Sequence, residues 1–407
     1  MTRGTDATET GFRLRDIALP AYGPTVVNCI GQGAVLPVLA IRAVDLGADA
    51  STAALVVAVL GVGTLLASLP AGAAVARVGE RRALFVAGLV EATALVASAA
   101  TDSVVGLALA TATAGAAWAV FLIARQAFII DAVPPAYRAR ALSTLGGSAR
   151  VGVFVGPIVG AGLIHLSGLP AVFVLAAGCS VASALLALAM PDLSSESRLE
   201  QGRAGHASVW SVLGRHRRTL LTLGTAVVVI SGSRSVRVGL LPLWAHHVGL
   251  SASTTSLIFG LAAAIEIVFF YPGGWLMDHH GRALVAVPVV LAVAVGCLVL
   301  PLTSSAVGVA GVMALIAIGN GLGAGIVMTL GADTAPSVGR AQYLGGWRLC
   351  GDVGGTSGPL LVGALAAAAP LAVASVVVGV LGLFGSAWVG LWTHRLDVAR
   401  ARSLSRR

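Results

Sequence analysis

The chain alternates between long apolar runs and short polar gaps. A bilayer core about 30 Å thick takes roughly 20 helical residues to cross, and runs of that length recur throughout the sequence. They predict twelve membrane-spanning helices, numbered helix 1 to helix 12, at 17–39, 53–74, 83–101, 104–130, 141–165, 170–190, 219–243, 254–276, 283–302, 305–331, 342–367 and 371–393. Membrane β-strands would instead show segments of about ten residues with alternating hydrophobicity. The pattern therefore predicts an all-α membrane protein.

Composition supports this interpretation and excludes a soluble protein. Of the 407 residues, 57% are hydrophobic and only 11% are charged, whereas a soluble domain has about 25% charged residues. The net charge of +9 could also indicate a protein that binds nucleic acid. Here, however, most arginines lie in short gaps between apolar runs, with no basic arm interleaved with aromatic residues. We therefore expect the lipid bilayer as a partner, and no nucleic acid.

The arginines also predict an orientation. If both termini are cytoplasmic, the polar segments on that side hold twenty arginines and the outer loops hold one, Arg42. Cytoplasmic loops of membrane proteins carry such an excess of basic residues. The polar N-terminal segment lacks the basic start and short apolar run of a signal peptide. We expect a multi-pass protein of the cell inner (plasma) membrane with both termini in the cytoplasm.

The second half of the chain repeats the first. The stretch GAAVARVGERRAL begins at Gly72 and GWLMDHHGRAL begins at Gly274, an offset of 202 residues. The same offset relates further landmarks: Asp131 to Asp333, Pro134 to Pro336, Arg138 to Arg340, and Gly156-Pro157 to Gly358-Pro359. A Leu-Pro pair in helices 1 and 7 has an offset of 205, which predicts three extra residues in the first outer loop. We expect two six-helix halves, 1–190 and 219–407, joined by a cytoplasmic linker at 191–218.

At these repeated segments the chain resembles the major facilitator superfamily over essentially its whole length. The signature between helices 2 and 3 is matched by Gly72, Arg77, Gly79, Arg81 and Arg82. A second signature in helix 5 is matched by Gly152, Gly156, Pro157 and Gly160, and it is associated with the proton-coupled drug antiporters of the superfamily. The resemblance implies twelve helices in two parallel six-helix bundles with a substrate site between them. Simple close packing and a kink is an alternative explanation of the Gly-Pro pair.

The signature departs from the family pattern in the first half. Ala76 stands where the family has an Asp, and Glu80 replaces a basic residue, whereas the second-half copy keeps Asp278 and Arg282. In the family these residues form a charge relay on the cytoplasmic side. The resemblance therefore implies a conformational gate, intact only in the second half, made of Gly72, Arg77, Gly79, Asp131, Gly274, Asp278, Gly281, Arg282 and Asp333. A merely solvated turn around Asp278 is the alternative.

Eight ionisable residues lie within the predicted helices: Glu91, Arg125, Arg150, Arg234, Arg237, Glu266, Arg348 and Asp352. A charge at the centre of a membrane helix costs roughly 2.5–3.5 kcal/mol, so these side chains are expected to face a wet cavity or each other. Arg348 and Asp352 are four residues apart and share a helix face. We expect Gly351, Gly354, Gly355 and Gly358, which follow them, to let a neighbouring helix approach closely, and Pro359 to permit a bend.

These residues suggest sites for substrate and for protons. In the family, helices 1, 4, 7 and 10 line the cavity and helices 2, 5, 8 and 11 flank it. We expect substrate binding by Asn28, Gln32, Trp118, Arg150, Arg234, Asn320, Trp347 and Arg348, and proton coupling by Asp352, Glu266 and Glu91. Arg125 and Arg237 could instead extend to a membrane interface. The side-chain amides of Asn28, Gln32 and Asn320 could instead form hydrogen bonds between helices, and Glu91 could simply pack against another helix.

The sequence as a whole favours a secondary active transporter, most of all a proton-coupled exporter of a small amphipathic molecule or drug by alternating access. A transporter of organic anions, by uptake with protons, is the alternative, since the predicted helices contain five arginines and only three carboxylates and so have an excess of positive charge. A non-transporting sensor or lipid-handling protein is a third. There is no G-x-x-x-x-G-K-[ST] loop, nucleophile constellation or metal-ligand spacing, so we expect no enzyme activity, cofactor or metal. We expect a monomer.

Overall fold

The computed structural model describes residues 18–133, 138–190, 209–336 and 340–404, and the elements in these ranges are helical. In the first half, helix 1 is Ala18–Val35 and continues as Leu39–Asp45, followed by helices 2 to 6 at Ala50–Val78, Glu80–Ala100, Val104–Ala132, Arg138–Ser167 and Pro170–Leu188. In the second half, helix 7 is Thr225–His247, and helices 8 to 12 are Ala252–His280, Ala283–Val299, Ala306–Leu322 with Ile326–Thr334, Arg340–Ala368 and Leu371–Leu404. Val209–Arg215 and a π-helical turn at Leu220–Gly224 precede helix 7.

Most of these helices can cross a bilayer. Ten are long and apolar enough to do so, and the bent pair that forms helix 1 raises the number to as many as eleven in the described chain. Helix 11 has 29 residues, but its first half is rich in Gly and polar residues, and it is not among them. The all-α membrane fold is confirmed, whereas the count of twelve spans stays a prediction.

The repeat extends to the local signals that start and end the helices. Asp49 and Ser251 cap helices 2 and 8 by accepting hydrogen bonds from the backbone N–H groups of Thr52 and Thr254, which are otherwise unsatisfied at a helix start. Ser103 and Ser305 do the same for helices 4 and 10. Each pair has the offset of 202. Outside the membrane helices, hydrogen bonds from Thr52 hold the pKa of Asp49 below its usual value.

Two pairs of glycines repeat in the same way. Gly47 and Gly249 have φ of 91° and 80°, and Gly79 and Gly281 have φ of 85° and 95°. Left-handed backbone of this kind favours glycine because other residues would clash at Cβ. The turns after helices 1 and 7, and those after helices 2 and 8, are thus built alike in both halves.

Helix 1 corrects the prediction of three extra residues in the first outer loop. The backbone hydrogen bonds of that loop match those after helix 7, for example Ala48 N–H to Ala43 O and Leu250 N–H to Ala245 O. The difference lies earlier, at the turn 36–38, where helix 1 bends by 40°. Pro37 lies in this turn and lacks a backbone N–H, and the loop itself has the same length in both halves.

The helices pack in a repeated pattern. Within the first half, helix 1 contacts helices 5 and 6, helix 2 contacts helix 4, and helix 3 contacts helices 4 and 6. Helices 7 to 12 repeat each of these pairings. The two halves meet mainly where helix 2 packs on helix 11 and helix 5 packs on helix 8, again a symmetric pair. The domain boundaries stay a prediction, because residues 191–208 lie outside the described chain.

Among the described residues, the apolar core joins the two halves at one end and not at the other. We call the end where the described chain begins and finishes the terminal end, and the opposite end the distal end. One buried cluster at the distal end contains residues of both halves, including Val38, Leu39, Leu240 and Trp244. At the terminal end, one cluster contains only first-half residues and another only second-half residues. The halves are therefore packed together distally and have separate cores near the termini.

Two crossed hydrogen bonds hold the distal ends together. The Ser51 hydroxyl on helix 2 donates to the Gly363 carbonyl on helix 11 at 2.8 Å. The Ser253 hydroxyl on helix 8 donates to the Ala161 carbonyl on helix 5 at 3.0 Å. The two donor serines are 202 residues apart in sequence, and so are the two acceptor residues. The same contact therefore occurs twice, with the roles of the two halves exchanged.

Glycines set the spacing of helix 11 against helix 7. A Cβ at Gly354 would lie 2.4 Å from the Val228 carbonyl oxygen, and one at Gly358 would lie 2.6 Å from that of Gly232. The backbones of helices 7 and 11 can approach this closely only because these glycines have no side chain, as the sequence predicts for Gly354 and Gly358. The expectation is wrong for Gly355, where a Cβ would meet nothing within 4 Å, because this residue faces away from helix 7. Helix 11 continues through Pro359.

Gly358→Ala should destabilise the protein by about 1–3 kcal/mol, the usual cost of overpacking. The added methyl would meet backbone atoms of helix 7 that cannot move independently. Gly355→Ala is the matched control, in the same helix but facing open space, and should be neutral or stabilising because Ala favours helix. Melting temperatures of the two variants in detergent test this; equal melting temperatures would contradict it.

Candidate functional site

Three arginines and one glutamate meet where helices 5, 7 and 8 come together. Arg237 on helix 7 forms an ion pair with Glu266 on helix 8. The guanidinium of Arg150, from helix 5, lies 4.4 Å from the ring centre of Phe270. Arg234, one turn before Arg237, lies within electrostatic range of the other three charges. We call Arg150, Arg234, Arg237 and Glu266 the arginine cluster. The suggestion that Arg237 extends to the outer interface is wrong, because it pairs with Glu266.

A second polar group lies inside the first half. Glu91 on helix 3 is buried and accepts hydrogen bonds from the Asn28 amide at 2.6 Å and the Gln32 amide at 2.5 Å. Ser180 on helix 6 adds a third hydrogen-bonding side chain. The amides on helix 1 are thus bound to Glu91, so interhelical hydrogen bonding describes them in this conformation. Roles in substrate binding or proton coupling stay predictions for all three residues.

The pair on helix 11 lies between the halves near the terminal end. Arg348 Nε is 3.9 Å from Asp352 Oδ2, so the two residues pair as their spacing predicts. The same guanidinium donates a hydrogen bond of 3.0 Å to the Gln126 side chain on helix 4 of the other half. Nearby Arg125 lies over the Phe121 ring, and two of its buried N–H groups have no partner in the described chain.

Two of the predicted gate residues of the second half, Arg282 and Asp333, are in contact. Arg282 Nε donates to Asp333 Oδ2 at 2.7 Å, and another guanidinium nitrogen donates to the Met277 carbonyl at 2.9 Å. These contacts join the loop after helix 8 to the end of helix 10. The side chain of Asp278 lies outside the described residues, so its part in the relay stays a prediction.

Asp397 contacts the predicted gate, and the sequence analysis did not identify it. Its carboxylate, on helix 12, accepts hydrogen bonds from the backbone N–H groups of Arg282 at 3.0 Å and Ala283 at 2.9 Å. A carboxylate at a helix N-terminus is also favoured by the helix dipole, here that of helix 9. A Cβ at Gly281 would lie 2.7 Å from this carboxylate. The matching first-half residue is Ser195, so the repeat offered no signal.

Other predicted site residues lie apart from these groups. Trp118 stacks on Phe121 of its own helix, with ring centres 5.3 Å apart. Trp347 is buried in the second-half core and donates to the Val327 carbonyl at 2.8 Å. Asn320 is fully buried, and its amide has no partner in the described chain. Their roles in substrate binding stay predictions.

The first-half gate residues and the Gly-Pro pairs show different surroundings. Arg77 is exposed, and Cβ atoms at Gly72 and Gly274 would meet nothing within 4 Å. Asp131 lies near the end of helix 4. By contrast, a Cβ at Gly156 would lie 2.3 Å from the Ile30 carbonyl oxygen, so helices 1 and 5 touch there. Helix 5 continues through Pro157.

The two halves share the same helix pairings and the same glycine turns after helices 2 and 8. The family model described as Major Facilitator Superfamily matches residues 25–358 and, in a second match, 226–406. The chain belongs to the major facilitator superfamily. The chain is thus a multi-pass membrane protein of this family.

Named relatives agree with the family. Two uncharacterized MFS-type transporters of Mycobacterium tuberculosis, from strains CDC 1551 / Oshkosh and ATCC 25618 / H37Rv, are each 29% identical over 260 residues. The match covers 58% of this chain and 58% of each relative. The chain thus spans less than two thirds of the length of the curated relatives it matches.

Solved structures share the fold. A bacterial homologue of the human lysosomal transporter Spinster, inward-facing and unoccupied, has a TM-score of 0.76 at 16% identity, covering 93% of this chain and 97% of that one. A POT family transporter in complex with 5-aminolevulinic acid has a TM-score of 0.74 at 12% identity, covering 94% and 96%. At such identities the likeness shows the major facilitator fold alone.

Asp397→Ala should loosen the second-half gate of this major facilitator protein. Losing an N-cap acceptor costs about 0.5–2 kcal/mol, and the amides of Arg282 and Ala283 would lose their partner. Hydrogen exchange should therefore quicken at the start of helix 9. Asp397→Asn, which keeps one acceptor oxygen, is the control and should have a smaller effect. Unchanged exchange in Asp397→Ala would show that the carboxylate does not stabilise the helix.

Proposed function

We propose that this chain is a proton-coupled secondary active transporter that moves a small organic solute across the inner membrane by alternating access, as a monomer. The observation that carries the proposal is the one-sided core. The halves share an apolar cluster distally and have separate clusters near the termini. Alternating access requires a protein whose halves close at one end while the other end is open.

The arginine distribution assigns the sides of the membrane in this proposal. The segments that the sequence analysis assigns to the cytoplasm hold twenty arginines, and those of them that the structure describes lie at the terminal end. Arg42 lies at the distal end, where it donates to the carbonyls of Ala99 and Thr101. By the excess of basic residues in cytoplasmic loops, the terminal end faces the cytoplasm. The described conformation is then the inward-facing one.

Glu266 and Asp352 are the proposed proton carriers. Each is paired with one arginine, Arg237 and Arg348 respectively, and each lies on a helix that packs against the other half. Movement of the halves can therefore change the surroundings of both carboxyl groups. An arginine partner favours the ionised carboxyl and a dry site favours the protonated one, so such a change can load or release a proton.

The direction of coupling separates two candidates. Efflux of an amphipathic molecule in exchange for protons is favoured by the helix 5 Gly-Pro motif, whose Gly156 packs against helix 1. Movement of an organic anion together with protons is favoured by the arginine cluster, which holds three cations and one carboxylate. Both candidates use the same alternating access.

Cross-linking the distal ends should stop transport. In the Ser51→Cys, Gly363→Cys double variant, a mild oxidant should join helices 2 and 11 at a contact that must break for the distal side to open. Transport should fall on oxidation and return after reduction. The single variants are the controls and should be insensitive to the oxidant. Full activity of the cross-linked protein would contradict alternating access by separation of these helices.

Proteoliposomes that contain a pH-sensitive dye test the coupling. Added ethidium should drive proton movement in the direction opposite to its own if the protein is an antiporter. Phenyl phosphate should carry protons with it if the protein moves anions. Glu266→Gln or Asp352→Asn should abolish the proton signal, whereas Asp102→Asn, at an exposed distal position, should not. No proton movement with either solute would count against the proposal.

A further inference from the structure

The arginine cluster contains more positive charge than its own residues neutralise. Arg237 uses its side chain on Glu266, and its Nε still lacks a partner in the described chain. The guanidinium of Arg150 lies over the face of the Phe270 ring, and no hydrogen bond or ion pair joins it to another residue of the described ranges. No hydrogen bond or ion pair joins Arg234 to another described residue, although Glu266, Arg237 and Arg150 are within electrostatic range. Three guanidinium groups therefore share one carboxylate.

No other described acidic group corrects this imbalance. Glu266 is the one acidic residue within electrostatic range of Arg150 and Arg234 in the described chain. Helices 9 and 10, which pack with helix 8, carry no acidic or basic residue in Ala283–Val299 and Ala306–Leu322. Asp352 on helix 11 pairs with Arg348 instead. Charges left unmatched at membrane depth are costly, so a bound anion would relieve that cost.

We propose that the arginine cluster binds a small organic anion, whose carboxylate or phosphate group pairs with Arg234 and Arg150 while its apolar part lies beside Phe270. Guanidinium groups match either anion through two parallel N–H donors. Phe270 is 41% exposed and offers an apolar face next to the Arg150 guanidinium. This inference rests on the proposed transport function and names the substrate class for its site.

Glu266 sets the sign of the coupling. Its carboxylate pairs with Arg237 and lies within electrostatic range of Arg234 and Arg150, the two groups that the bound anion uses. The anion and the ionised Glu266 therefore compete for the arginines and repel each other. A proton on Glu266 removes both effects, and the coupling is reciprocal. Proton and anion bind together, which requires them to move in the same direction.

Binding to the purified full chain in detergent tests the inference without any gradient. Four probes share one ring and differ in charge: benzoate, phenyl phosphate, benzylamine and benzyl alcohol. Titration calorimetry should detect one or both anions and neither of the other two. Arg234→Gln and Arg150→Gln should each weaken anion binding at least about tenfold, since each removes hydrogen bonds to a charged group. Glu266→Gln should strengthen it, the opposite sign.

Arg218→Gln is the matched control. Arg218 is an exposed arginine that precedes helix 7, and the variant should bind the anions as the wild type does. Size-exclusion chromatography identifies any variant that fails to fold. If Arg234→Gln fails to fold, Arg150→Gln tests the inference in its place. Binding of benzylamine instead of the anions, binding of neither anion, or weaker anion binding in Glu266→Gln would overturn the inference. Anion binding without transport in proteoliposomes would leave this site intact and overturn only the proposed function.

Discussion

The fold depends on one constraint: an ionised side chain within a membrane has to meet a partner inside the protein. The three polar groups of this chain satisfy it differently. Glu91 is surrounded by neutral donors within one half, Arg348 reaches both Asp352 and the opposite half, and the arginine cluster is incompletely matched. Where charges are satisfied within a half, their hydrogen bonds join helices of that half to one another. Where they reach between the halves or lack a match, they can respond to movement or to a solute.

Close backbone contact supplies the rigidity that such movement requires. Glycines bring helix 1 against helix 5 and helix 7 against helix 11 at distances that no side chain would allow. In the proposed alternating access each half can then rotate as a unit, because most of its close helix contacts lie within that half. Between the halves the contacts are fewer, and at the distal end they include two hydrogen bonds from serines to carbonyls. Such bonds contribute only about 0.5–1.5 kcal/mol each and can be exchanged.

The sequence was sufficient for the fold because its signals are long and repeated. Apolar runs, the 202 offset and the glycines at the turns each describe a whole helix or a pair of equivalent positions. The partners of single side chains were less predictable. For Arg237 the sequence left an interface position open as an alternative, and the side chain pairs with Glu266. Helical phase alone does not say which neighbour faces a residue. Asp397 had no repeated counterpart, and its role depends on helix 12 lying beside the start of helix 9. The bend at 36–38 could not be distinguished from a longer loop by the sequence repeat, because both add the same number of residues to the first half.

The shared distal cluster also has a consequence for temperature. Opening that end would transfer apolar side chains such as Leu39 and Trp244 from a dry contact into water. Exposure of apolar surface raises the heat capacity by about 0.45 cal/K/mol for each Å², and the attraction between apolar surfaces weakens on cooling. In the proposed alternating access, the equilibrium constant for opening the distal end should therefore follow a curve rather than a straight line in a van't Hoff plot, with cooling favouring the open distal end.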